Sequence, residues 1–332
     1  MGSRVTPLPL AALVAIAGIA CTPPPAATSD AGPSASSVTS SASAIPSIAL
    51  SLVPPPEDLD ATVPLSPRAK DALDKSLSSL LRIWGDTSPH ATVADTFLVV
   101  GDDAKAPMAE AAKLTQQTFD ALYAGPFRHR PDQAALAIIF SSHPRYAKSL
   151  PQGVPTNIIS LWDPETRQIL VDTSAAPAFS ICHEVTHVLI EADAPKAPVY
   201  LSEGIASLLE FPDFSVPGEV HGKPHFRLAT LRTALASPAT AGKVRLDAMF
   251  GWLTVDDFQK PESQWALRQA VVRESMRWLD SKRHQLWTFY HRFREGVIDD
   301  PTGLKAFTAV VGPPADVTAE WIAWLQSEEA AR

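Results

Sequence analysis

Residues 180–190 read SICHEVTHVLI. His183 and His187 stand four apart, so on a helix they share a face, about 40° from alignment and with Cβ atoms roughly 6 Å apart. Two imidazoles at that spacing can bind one Zn²⁺ at about 2.0–2.1 Å each. Glu184 lies beside such a metal, within reach of a water there: the His-Glu-x-x-His arrangement of metal-assisted hydrolysis. At this chain's His and Glu content, chance supplies the pattern in about one chain in a hundred. Apart from these three residues and the weakly acidic Cys182, nothing from Ser180 to Ile190 ionises. A surface helix would carry more charge, so the segment predicts a buried helix, where an idle charged Glu184 would be costly.

Two histidines leave a zinc ion short of protein ligands. The first helix is expected to end near Ala194-Pro195, with Pro198 barring continuation. Next comes YLSEGIASLLE, Tyr200 to Glu210. Glu203 is far enough beyond His187 for a turn and a second helix folded back on the first. A carboxylate there completes a His₂Glu set with the fourth position open to water. Glu210, two turns further along nearly the same face, is placed to accept a hydrogen bond from a ligand imidazole. His221 and His225 are also four apart, but Gly222 and Pro224 between them argue against a helix, so that pair reads as a loop. Cys182 points about 100° away from His183 and reads as a small buried side chain. Lys282, Arg283, His284, His291, Arg292 and Arg294 read as a solvated helix face. The tryptophans of the C-terminal half read as core.

His183-Glu184-Val185-Thr186-His187, followed by Leu201-Ser202-Glu203-Gly204-Ile205-Ala206 and then Glu210, resembles the gluzincin metallopeptidases. It is more similar still to a bacterial family of secreted peptidase-MA-like proteins, from the strand at Ala135–Phe140 through both motif helices. More loosely, the likeness extends through Arg227–Arg232 and the helices at Trp265–Leu279 and Leu286–Phe293. The resemblance implies a zincin-like fold, a zinc ion on His183, His187 and Glu203, Glu184 as general base, and peptide or protein substrates. It also implies that the strand Gln168–Asp172 borders the cleft as an edge to which an extended substrate adds. Departures narrow what carries over. Tyr200 stands where Trp is common, and no Gly-Ala-Met-Glu-Asn segment appears, so a grip on a free substrate N-terminus is not implied. Trp265 stands where a Tyr often opens its helix, which leaves Tyr290, His284 and His291 as candidates to stabilise an oxyanion.

The elements that must position these residues begin well inside the chain. The 332 residues are 45% hydrophobic with a net charge of −8, against a nucleic-acid-binding surface, which needs clustered excess Lys and Arg. Two cysteines exclude a disulfide-stapled scaffold. Residues 1–20 carry Arg4 and an apolar run from Leu10 to Ala20, too short to span a bilayer and typical of a secretory signal. Gly18-Ile19-Ala20-Cys21 resembles a bacterial lipobox, which implies lipidation of Cys21 and a membrane anchor. The Ser-, Ala- and Pro-rich stretch 21–65 reads as a disordered tether holding the domain off the membrane, in the bacterial cell envelope or secreted.

From residue 66 to 332 the pattern is that of one domain. A helix over Pro67–Trp84 precedes a strand at Phe97–Val100, a helix over Met108–Tyr123, a strand at Leu136–Phe140, and a hairpin of Ile158–Leu161 with Gln168–Val171. Mostly helix follows. Sheet first and helices after predict an α+β fold, a small N-terminal sheet lobe with the motif helix and a helical C-terminal lobe. Two functions fit: a zinc peptidase, or a non-catalytic surface lipoprotein whose zinc site is structural or vestigial.

Overall fold

The computed structural model describes residues 67–85, 88–175 and 178–331. The expected leader over 1–20, the lipidation site Cys21 and the tether over 21–65 lie outside the described residues. The architecture is α+β, as the order of patterns predicts. Helix α1 (Pro67–Trp84) leads into strands β1 (His90–Val93) and β2 (Phe97–Gly101), helix α2 (Met108–Ala124), strand β3 (Ala135–Phe140), helix α3 (His143–Ser149), and strands β4 (Ser160–Asp163) and β5 (Gln168–Asp172). They build one mixed sheet in the order β1-β2-β3-β5-β4, with β2, β3 and β5 parallel and the outer two strands antiparallel to their neighbours.

The parallel strands read FLVVG, ALAIIF and QILVD and are almost wholly buried, as expected of strands covered on both faces. Alternation sorts their side chains. Val99, Ala137, Ile139, Ile169 and Val171 join the main core with α2 and the motif helix, whereas Ile138, Phe140, Leu161 and Leu170 meet Tyr146 of α3. The hairpin turn falls at residues 164–167. There Asp163 Oδ1 accepts from the Glu165 N–H at 3.0 Å, a side-chain mimic of a backbone turn. The first hairpin strand therefore runs two residues later than the periodicity suggested.

One expectation is corrected by the strand order. Strand β5 is not an edge: it is paired on both sides, by β3 and by β4. The edge strands of the sheet are β1 and β4, and β4 takes the edge beside β5 because the chain runs past β5's position, turns at 164–167 and returns beside β3.

After the sheet come helices α4 (Ser180–Asp193) and α5 (Val199–Leu208), the short strands β6 (Pro212–Asp213) and β7 (His221–Gly222), then α6 (Phe226–Ala236), α7 (Val255–Gln259), α8 (Glu262–Arg277), α9 (Leu286–Gly296), α10 (Leu304–Val310) and α11 (Pro314–Gln326). Three of these are buried on every side over long stretches: α4 from Ser180 to Ile190, α5 throughout, and α8 from Gln269 to Arg277. A helix with no solvated face belongs in the middle of a core. The site residues ride on these three.

Candidate metal centre

Helix α4 brings His183 and His187 onto one face, with their Nε2 atoms 3.1 Å apart. Helix α5 folds back against it and points Glu203 at the pair: Oε1 lies 3.7 Å from His187 Nε2, and Oε2 lies 3.9 Å from His183 Nε2. One ligand atom from each residue falls within 4.8 Å of the others, and all three side chains are buried. Among the described residues this is the one group of three or more His, Cys, Asp or Glu side chains so arranged.

The arrangement suits a divalent ion. Tetrahedral ligands at about 2.0–2.1 Å would lie about 3.4 Å from one another, which the imidazole pair nearly matches, and each imidazole Nε2 has a Glu203 oxygen within 3.9 Å. His187 Nδ1 is 2.9 Å from Ser202 Oγ. A proton held there, donated to the hydroxyl, leaves Nε2 as a lone-pair donor. Both imidazoles favour the neutral form that a metal needs. Burial and the nearby Arg227 guanidinium bring His183 down to about 3, and burial together with His183 holds His187 well below the ordinary range. Burial lifts Glu203 to about 7, against the Gln269 hydrogen bond and Arg227. A cation in the group would offset that penalty.

Glu184, next to His183 on α4, meets strand β4. Strand alternation puts Ser160 on the same side of β4 as Trp162, which packs in the core beside α4. Ser160 Oγ donates to Glu184 Oε1 at 2.6 Å. Glu184 Oε2 is buried without a hydrogen-bond partner. Burial raises the Glu184 carboxyl well above the usual range, with Glu203 and Glu210 adding to the rise and Ser160 opposing it. A carboxylate with high proton affinity and one uncommitted oxygen can take up and return a proton.

Glu210 is placed differently from the sequence expectation. Helix α5 stops at Leu208, so extrapolating two further turns fails, and Glu210 pairs with buried Arg227 of α6 instead of an imidazole. Burial pushes its carboxyl up, but Arg227 and His225 outweigh that and hold it below the ordinary value. The oxyanion candidates lie elsewhere too. Tyr290 donates to Asp193 at 2.8 Å, His291 Nε2 contacts the Pro126 carbonyl at 2.6 Å, and His284 is exposed. Arg294, read as part of a solvated face, is partly buried and turns its side chain onto Asp193 at 2.7 Å, as α9 reaches the end of α4 through Tyr290 and Arg294. His221 lies in β7, and His225 precedes α6, accepting from the Arg227 N–H at 3.4 Å. Cys182 is buried, its thiol pushed up to about 12.

Sequence reasoning did not find Ser160, Ser202, Arg227 or Gln269. Ser202 alone had a local signal, since it adjoins Glu203 on the same helix. The others reach the site from elements 17 to 66 residues away in the chain. No family model, curated protein or solved structure matches this chain. The geometry therefore carries the functional reading: a buried His-His-Glu group that can hold a metal ion.

Proposed function

We propose that the chain is a zinc-dependent peptidase of zincin-like type, its ion held by His183, His187 and Glu203. The observation that carries this reading is the convergence of those three ligand atoms within 4.8 Å beside Glu184. A zinc ion supplies Lewis acidity there and lowers the pKa of an adjacent water toward about 7. The rest falls to the chain's own residues. Glu184 Oε2 accepts the proton of the attacking water and returns it to the leaving amine, while Ser160 keeps Oε1 engaged. The free edge of β4 offers its backbone to an extended peptide, which would add to the sheet as a further strand. With the lipobox-like Cys21, the proposal extends to an envelope-anchored enzyme acting on peptides or proteins.

Metal analysis of the purified chain tests this directly. About one zinc per chain is expected, lost in both His183→Ala and Glu203→Ala. Glu184→Gln should keep the metal and lose hydrolysis of an unfolded protein substrate by a factor of 10² or more. No zinc in the parent, or undiminished turnover in Glu184→Gln, would overturn the reading.

The burial of the same residues favours a second reading. Glu184 and His183 are fully buried, and His187 and Glu203 nearly so, as suits a closed structural metal site in a non-catalytic protein. A cobalt-loaded chain whose visible spectrum ignores a hydroxamate, a bidentate ligand for an open position, would support it.

A further inference from the structure

We propose that Gln269 is the residue that fixes Glu203 as a one-oxygen metal ligand. This rests on the metal site above and assigns a positioning role to a helix that supplies no ligand itself. Gln269 Nε2 donates to Glu203 Oε2 at 3.2 Å, and Gln269 Oε1 accepts from Ser207 Oγ at 3.3 Å. Ser207 is one turn beyond Glu203 on α5, so one buried amide on α8 bridges two successive turns of the ligand helix. Rotating the amide by half a turn would set its oxygen against the carboxylate, so the two contacts together define which end faces Glu203.

The backbones come close enough for this because of Gly204. A Cβ there would lie 2.8 Å from Met276 Cγ and 3.2 Å from the Val272 carbonyl oxygen. With Oε2, the oxygen 3.9 Å from His183 Nε2, engaged by the amide, Oε1, 3.7 Å from His187 Nε2, is the oxygen left for the metal. The donor is neutral, so it orients the carboxylate while leaving the group's negative charge to balance the ion. A Lys or Arg at this point would compete with the metal for that charge.

The test is competitive titration of the full chain with Zn²⁺ and Co²⁺ against a chelator, for the parent and for Gln269→Leu, with the metal-free unfolding midpoint as a control. Zinc affinity is expected to fall 10- to 100-fold in Gln269→Leu. The visible band of the cobalt-loaded chain is expected to weaken and shift as Glu203 turns to bind through both oxygens and raises the coordination number. Ser207→Ala, a smaller change that frees the amide to rotate, should move the same band the same way with a loss of affinity of a fewfold. Unchanged affinity and spectrum in either variant that folds overturns the assignment while leaving the metal site standing. A parent that binds neither ion overturns the site and the assignment together.

Discussion

The two ends of helix α4 carry buried polar groups of opposite character. At its C-terminal end Asp193 has both oxygens filled: Oδ1 accepts from the Arg128 and His129 N–H groups at 2.7 and 2.8 Å, and Oδ2 from Tyr290 and Arg294 at 2.8 and 2.7 Å. Nearer its N-terminus, the His183 and His187 Nε2 atoms face each other, Glu203 of the neighbouring α5 is lifted to about 7, and Glu184 Oε2 has no hydrogen-bond partner. A buried polar group that is fully bonded rigidifies the fold, whereas one left short of partners is costly unless something supplies them. The difference separates an anchor from a site: the far end of α4 pins the helix to α9 and to the segment after α2, and the near end gathers ligand atoms that a cation could bridge.

The sharpest way to break that contrast is to remove the anchor. Asp193→Ala leaves the Arg294 side chain, 7% exposed, without its counter-charge and strips two backbone N–H groups of their acceptor. A loss of about 3–5 kcal/mol is expected, read from urea unfolding, with zinc content per folded chain unchanged. Metal loss at parental stability would mean that the two ends are one unit and the contrast is false.

Removing the charge at the site should act through pH instead. Glu203 takes up its proton at about 7 in the folded chain against 4.5 ordinarily. A raised carboxyl stabilises the folded state fully below the unfolded value, and that contribution is lost as pH rises toward the folded one. The metal-free parent should therefore lose on the order of 3 kcal/mol relative to Glu203→Gln between pH 4.5 and 7. His183, His187, Glu184, Glu210 and Arg227 face the same carboxylate, and because Glu203 also raises Glu184, a Glu184→Gln background for both proteins isolates the Glu203 contribution. Saturating zinc should abolish the slope, since it binds the ionised form. Parallel stability curves for the two metal-free proteins would show that Glu203 is already satisfied without an ion.

What could be read from the sequence follows the range of the interactions. The His183–His187 pair and the helix that carries it depend on a period of 3.6 residues and on a charge-free flank, both visible within a dozen residues. Glu203 was legible because only a turn separates α5 from α4. Glu210 was misplaced because the sequence does not show that α5 ends at Leu208, and SLLE continues a helical pattern that the chain abandons. The edge strand was misassigned for a related reason. The β4–β5 hairpin is local, but which of its strands meets β3 is decided by the path through α3. Gln269 and Ser160 could not be found this way at all, since neither has a neighbour in sequence that takes part in the site.

The smallest expected effect separates orientation from charge within the site. Ser202 Oγ lies 2.9 Å from His187 Nδ1 and carries no charge. Replacing it by Ala leaves the ligand set and the helix intact, and Ala is the better helix former. The cost is one hydrogen bond, about 1 kcal/mol, offset in part by helix propensity, so the metal-free unfolding midpoint should barely move. What the substitution removes is the acceptor that keeps the His187 proton on Nδ1. Without it the proton can sit on Nε2, the atom that must offer a lone pair, and metal binding has to displace it first. Zinc affinity should therefore fall about tenfold, with Ser202→Thr, which keeps the hydroxyl, close to the parent. Equal affinity in parent and Ser202→Ala would mean that the geometry of α4 alone sets the imidazole, and that the near end of the helix needs less support than its buried polar groups suggest.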